Sequence, residues 1–233
     1  MRLLVTRPEP DNERTAAALR ALGHEVMLAP LLHIEAVPNA DLGLSPWAAI
    51  LITSANGARA LARHPRRGEL IALPVLVVGR NSADAARAAG FADVASADGD
   101  AGDLARLAAE RFAGAHLPLL YLAGEDRTGE LTVPGLTVRT VVVYRATQAE
   151  RLPPEALAAL AQGRIDGVLH FSRRSVESYL DCGRDVIGPA LRPTHYCLSA
   201  RAAEPLQRAG AASIVVTPRP DEASLLALVT PKS

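Results

Sequence analysis

Short apolar runs alternate along the chain with alanine-rich stretches whose apolar positions recur at helical spacing. Residues 2–6, 25–28, 49–53, 75–78, 93–95, 119–122, 138–144, 167–171, 195–198 and 213–217 read as strands. Residues 11–22, 55–63, 82–89, 102–112, 154–162, 174–182, 200–209 and 221–229 read as helices. Repeated strand-then-helix predicts an α/β fold with a mainly parallel sheet. Most of the strand runs are apolar without alternation, as expected when helices cover both faces of the sheet. Gly23, Gly90 and Gly210 each follow an alanine-rich run, at the position a left-handed helix C-cap requires.

The pattern repeats. Ala49-Ile50-Leu51-Ile52-Thr53-Ser54 and its helix match Gly167-Val168-Leu169-His170-Phe171-Ser172, 118 residues on. Pro74 through Gly90 and Val94 match Thr194 through Gly210 and Ile214 at an offset of 120. The opening strand–helix–strand has its counterpart at 119–144, with the helix cut to a short 127–131 stretch. One half runs this piece first and the other runs it last, which predicts two similar α/β units, one inserted in the other. Domain A is expected at residues 1–34 and 148–233, and domain B at 37–143. Two extended segments, 30–38 and 141–148, would cross between them as a hinge.

Composition narrows the function. Twenty-five basic residues balance twenty-five acidic ones among 233. That balance argues against a nucleic-acid coat or a polybasic membrane anchor. No apolar run approaches a bilayer span, and the opening Met1–Pro8 reads as a strand and not a secretory leader; a cytoplasmic protein is expected. Cys182 and Cys197 are isolated thiols without disulfide or metal spacing. The single lysine, Lys232, argues against Schiff-base chemistry, so the other basic residues are all arginine, whose planar fork suits carboxylates and phosphates.

In open parallel sheets, ligands bind beyond the carboxyl ends of the strands, where helix N-termini offer free N–H groups. Those turns read Thr6-Arg7-Pro8, Thr53-Ser54-Ala55-Asn56-Gly57, Gly79-Arg80-Asn81-Ser82, Ser172-Arg173-Arg174-Ser175, Ser199-Ala200-Arg201 and Thr217-Pro218-Arg219. Each hydroxyl taken alone is explained by helix capping. The arginines at 7, 80, 173, 174, 201 and 219 are not, because cations oppose the dipole at a helix start. The set predicts a site for a ligand with several anionic groups. No dinucleotide or P-loop glycine pattern is present, no nucleophile elbow, and the six histidines show no metal-ligand spacing. Gly124-Glu125-Asp126-Arg127 reads as a polar loop. Tyr144 ends an apolar strand where the chain crosses between the units, and its phenol is a proton donor at neutral pH.

With these residues in view, the chain resembles the uroporphyrinogen-III synthase family. The resemblance rests on Leu4–Pro8, Pro30–Ile34, Thr53–Gly57, Val78-Gly79 through Gly90-Phe91, Tyr121–Arg127, Val143–Arg145 and Phe171-Ser172, in this order along nearly the whole chain. It implies two flavodoxin-like parallel-sheet domains joined by a two-stranded β-ladder, with the active site between them. It also implies a cofactor-free, metal-free and mostly monomeric enzyme that closes hydroxymethylbilane, a linear tetrapyrrole with many carboxylates, to uroporphyrinogen III with inversion of ring D. The preceding pathway enzyme would supply that unstable substrate; neither nucleic acid nor membrane is an expected partner. Tyr144 falls on the family tyrosine that assists departure of the substrate hydroxyl, and Ser82 on a hydroxyl position that is often threonine. Substrate contacts are expected from Arg7, Thr53, Ser54, Asn56, Gly79, Asn81, Ser82, Ser172, Ser199, Arg201 and Thr217. Members often carry Gly-x-Thr-Thr-Ala where this chain has Ser199-Ala200-Arg201-Ala202-Ala203, with Arg201 as a substitute anion contact. A two-domain protein that clamps a polyanionic metabolite without converting it is the rival reading.

Overall fold

A computed structural model of the protein describes residues 1–44, 46–127 and 129–229; Lys232 lies outside them. The strands are β1 (Arg2–Val5), β2 (Glu25–Leu28), β3 (Leu32–Ala36), β4 (Ala49–Ile52), β5 (Val75–Val77), β6 (Val94–Ser96), β7 (Leu119–Gly124), β8 (Val138–Gln148), β9 (Gly167–His170), β10 (Thr194–Cys197) and β11 (Ile214–Val216). The helices are α1 (Asp11–Ala21), α2 (Ala55–Ala62), α3 (Arg67–Leu70), α4 (Arg80–Ala88), α5 (Ala101–Arg111), α6 (Pro154–Ala161), α7 (Arg173–Cys182), α8 (Ile187–Ala190), α9 (Ala200–Ala209) and α10 (Glu222–Ala227). The chain divides into two compact units: Met1–His33 with Thr147–Ser233, and Ile34–Ala146.

The first unit holds a sheet of order β11-β10-β9-β1-β2, and its pairs are parallel. The second holds β3-β8-β7-β4-β5-β6, of which the last five strands pair in parallel. Strand by strand the parallel parts correspond: β2 to β8, β1 to β7, β9 to β4, β10 to β5 and β11 to β6. The first unit visits them as β1, β2, β9, β10, β11. The second starts at β4 and finishes with β7 and β8, so it is a circular permutation of its twin. The offsets of 118 and 120 follow from this topology.

Burial on both faces explains the unbroken apolar runs. In β4, Ile50 and Ile52 join a cluster with Leu61, Val77 and Ala86, while Ala49 and Leu51 join another with Leu104 and Leu119. In β1, Leu4 packs with Val168 and Leu160 on one face, and Leu3 and Val5 with Leu169 and Leu225 on the other. Gly23, Gly90 and Gly210 have φ of +83°, +94° and +80°, conformations that a side chain would strain.

The short helix expected at 127–131 is absent from the described residues of that stretch. Arg127 pairs with Glu130, which also accepts a hydrogen bond from the Thr140 hydroxyl of β8. The segment is thereby tied to a strand edge, and Gly135 at φ +73° turns the chain back into β8.

The registers align His195 of β10 with Val75, and His170 of β9 with Ile52. The first unit thus carries two buried imidazoles where its twin carries aliphatic side chains. His170 Nε2 and His195 Nδ1 lie 3.1 Å apart, sharing one hydrogen, with Tyr179 edge-on to both rings. Burial holds both below the ordinary histidine range, His195 at about 4. An unfolded chain takes up protons near pH 6.5 that the folded chain refuses, so stability falls as pH drops from about 6.5 toward 4. His195 alone contributes a loss on the order of 3 kcal/mol at pH 4. His170→Ile with His195→Val, which copies the twin unit, is expected to flatten the acid limb of denaturant stability measured against pH. An unchanged slope would refute this.

Candidate functional site

The carboxyl edge of the second unit gathers hydroxyls. Thr53 follows β4, and its Oγ1 lies 2.9 Å from the Tyr121 phenol oxygen of β7. Ser54 caps α2 and accepts the Asn56 N–H at 3.3 Å; Asn56 Oδ1 in turn accepts from Arg59 at 2.9 Å. A capping serine keeps its own hydrogen to donate. Gly79 opens α4 without a side-chain cap, and a Cβ built there would meet nothing within 4 Å. Asn81 is exposed and Ser82 is buried in the first turn of the same helix.

Tyr144 belongs to this group. Its side chain packs half-buried against the core cluster that contains Ile52, Leu122 and Val143. Burial pushes the phenol above its ordinary range, Ser54 opposes this through a hydrogen bond, and Tyr121 and Asp126 add to the rise. The phenol is therefore fully protonated at neutral pH and available as an acid.

The first unit's edge is differently occupied. Ser172 caps α7, accepting the Ser175 N–H at 3.1 Å, and Ser199 caps α9, accepting the Ala202 N–H at 3.2 Å. The Thr217 hydroxyl bonds to the Arg219 carbonyl. Arg7 is held inside the unit: it donates to Thr15 at 3.0 Å, pairs with Glu222 at 3.0 Å and Asp11 at 3.5 Å, and lies 4.3 Å over the Phe171 ring. Arg173 pairs with Glu177 and Glu204, and Arg219 with Asp221. Arg80 and Arg201 are exposed on the first turns of α4 and α9, with no ion pair among the described residues.

Sequence reasoning names neither Tyr121 as the partner of Thr53 nor Glu222 as a partner of Arg7. An internal pair such as Arg7–Glu222 joins residues far apart in sequence, and nothing local signals it. Among the described residues, no group of three or more histidine, cysteine or acidic side chains is placed to hold a metal ion. No helix among them is long and apolar enough to cross a membrane. Both cysteines are free, and burial pushes the Cys197 thiol up to about 12.

Taken together, these features define a duplicated, doubly wound α/β protein whose strand-to-helix turns offer hydroxyls, backbone N–H groups and two unpaired arginines. The chain matches the model of the family described as uroporphyrinogen-III synthase HemD over residues 13–227, and it belongs to that family. It is an enzyme of heme biosynthesis, and its reaction is the cyclisation that yields uroporphyrinogen III. Its substrate is a tetrapyrrole. Among solved structures, native uroporphyrinogen III synthase from the extremely thermophilic bacterium Thermus thermophilus is 21% identical, the match covering 99% of this chain and 96% of that one at a TM-score of 0.46. A selenomethionine-labelled mutant of that enzyme is 20% identical, covering 98% and 97% at a TM-score of 0.48. No curated protein sequence matched.

Proposed function

We propose that Tyr144 is the acid of the cyclisation and that the strand-to-helix turns bind the substrate's carboxylates. The observation that carries this reading is the hydroxyl cluster of Tyr144, Ser54, Thr53 and Tyr121 at the carboxyl edge of the second unit. The phenol proton passes to the hydroxymethyl oxygen of hydroxymethylbilane as the C–O bond breaks and water leaves. The resulting azafulvene closes through a spiro intermediate that inverts ring D. Formation of the last carbon–carbon bond releases a pyrrole proton, which returns to the phenolate. Unassisted closure gives the uninverted isomer, so positioning decides the product. Cytoplasmic location, a monomeric state and receipt of substrate from the preceding enzyme belong to the same proposal.

Freshly generated hydroxymethylbilane with separation of the uroporphyrinogen isomers tests it. Isomer III is expected; isomer I at the background rate refutes the reading.

In this proposal the carboxylates are met by Arg80 and Arg201 together with Gly79, Asn81, Ser82, Asn56, Ser172 and Ser199, whereas the Thr217 hydroxyl and N–H are already spent on the Arg219 and Cys197 carbonyls. Arg80→Gln and Arg201→Gln are each expected to raise KM roughly three- to tenfold with kcat little changed, the effect growing as salt is lowered. Unchanged KM in both variants would remove the two arginines from the binding surface.

A further inference from the structure

Strict alternation along β8 sends Tyr144 to the face opposite Val141 and Val143. It does not go there. Val141, Val143 and Tyr144 all pack against one cluster. The reason lies in the register with β7, where Leu122 faces Val141, Ala123 faces Val142, and Gly124 then faces Tyr144. Val143 is the extra residue of a β-bulge, a device that re-aims the side chains beyond it. In the twin unit β1 and β2 pair from Arg2–Glu25 to Val5–Leu28 without a break, and beyond that ladder the Leu31 N–H donates to the Thr6 carbonyl at 3.2 Å. In the permuted copy the register runs on to Gly124–Tyr144, and its shift lies between Ala123 and Gly124.

The residue opposite Tyr144 is also constrained. A Cβ built on Gly124 would lie 2.7 Å from Tyr144 Cζ and 2.8 Å from both Cε2 and the phenol oxygen. The ring therefore rests directly on the Gly124 backbone. Space, and not a positive φ, is what demands glycine there. The Glu125 N–H donates to the Tyr144 carbonyl at 3.0 Å, and the Val37 N–H to the Val143 carbonyl at 2.8 Å. The bulged backbone is thus pinned from both neighbouring strands, so the ring cannot relax by sliding the strand.

From this geometry we infer that Gly124 and the bulge at Val143 are positioning elements for the reaction, forming a seat that delivers the Tyr144 hydroxyl to the carboxyl edge beside Ser54. Any side chain at residue 124 lifts the ring from its seat and moves the hydroxyl away from the leaving group. The inference rests on Tyr144 being the proton donor.

Gly124→Ala, alone and combined with Tyr144→Phe, is the test. The single variant is expected to lose about tenfold or more in kcat with KM within about twofold. In the Tyr144→Phe background the same substitution is expected to cost nothing further, because the hydroxyl it displaces is gone. A ground-state readout that needs no turnover accompanies it. Alkaline difference titration against Tyr144→Phe should show the Tyr144 phenol of Gly124→Ala ionising at lower pH than in the unmodified protein, since a lifted ring regains water. Wild-type kcat in Gly124→Ala overturns the inference, as does a kcat loss that multiplies fully with Tyr144→Phe or an unmoved phenol titration. Full activity of Tyr144→Phe alone would instead overturn the assignment of the acid, so the two failures are distinguishable.

Discussion

Tyr144→Phe is expected to lower kcat for uroporphyrinogen III formation about a hundredfold or more, while KM stays within about twofold. The substitution removes one oxygen and keeps the ring, so the packing against Gly124 and the core cluster survives. On the proposed role of Tyr144, what disappears is the proton that accompanies departure of the substrate hydroxyl, and positioned acid catalysis contributes roughly a hundred- to ten-thousandfold. On the proposed reading the carboxylates of the substrate are bound at other turns, so KM is expected to hold. A pH profile adds a second check. The phenol is raised above its ordinary range by burial, so loss of the acid form in the native enzyme falls at strongly alkaline pH. Activity governed by Tyr144 is therefore flat across neutral pH and declines only above the range of a free tyrosine. A variant with unchanged kcat, or an equal rise in KM and fall in kcat/KM, would contradict this assignment.

The fold was legible because parallel strands covered on both faces are written as unbroken apolar runs. Ile50, Leu51 and Ile52 or Leu3, Leu4 and Val5 admit no solvent face, and the C-cap glycines mark where the intervening helices stop. Short irregular pieces were less legible. Leu32–Ala36 alternates sheltered and exposed residues and reads from its residues alone as an extended crossover; in the structure it is a strand bordering β8. Ile187–Ala190 contains Gly188 and Pro189, and its helical turn rests on Ala190 being buried in the core. The turns could be named from the sequence because a hydroxyl or glycine after a strand is a local signal. The face on which Tyr144 lies could not. A bulge changes the period-two rule at one residue, and only the pairing partner shows where. Nor did the sequence distinguish spent arginines from open ones: Arg7 and Arg201 look alike in a turn, but Arg7 has Glu222 and Asp11 beside it, while Arg201 makes no ion pair among the described residues.

Arg7→Met is expected to destabilise the protein by about 2–3 kcal/mol and to lower Tm by roughly 5–10 °C. Arg7 keeps only 13% of its side chain exposed and joins α1, α10 and Phe171 at the carboxyl end of β1. Removing it leaves the Asp11 and Glu222 carboxylates desolvated and short of a counter-ion. Breaking a fully buried pair costs about 3–5 kcal/mol. The smaller figure is expected here because Arg14 remains, at 2.7 Å from Asp11 and 2.6 Å from Glu222. Burial pulls the Arg7 guanidinium below its ordinary range while Glu222 and Asp11 hold it up, and the guanidinium stays charged. It follows that Arg7→Met with Glu222→Gln should cost less than the two substitutions summed, because the second removes a charge the first has stranded. Little of the loss should vanish at high salt, since a sheltered pair is poorly screened. Denaturant unfolding of the four proteins of this cycle measures both points. An Arg7→Met protein with unchanged Tm and a large rise in KM would mean that the guanidinium serves the substrate instead, with α10 held by other contacts.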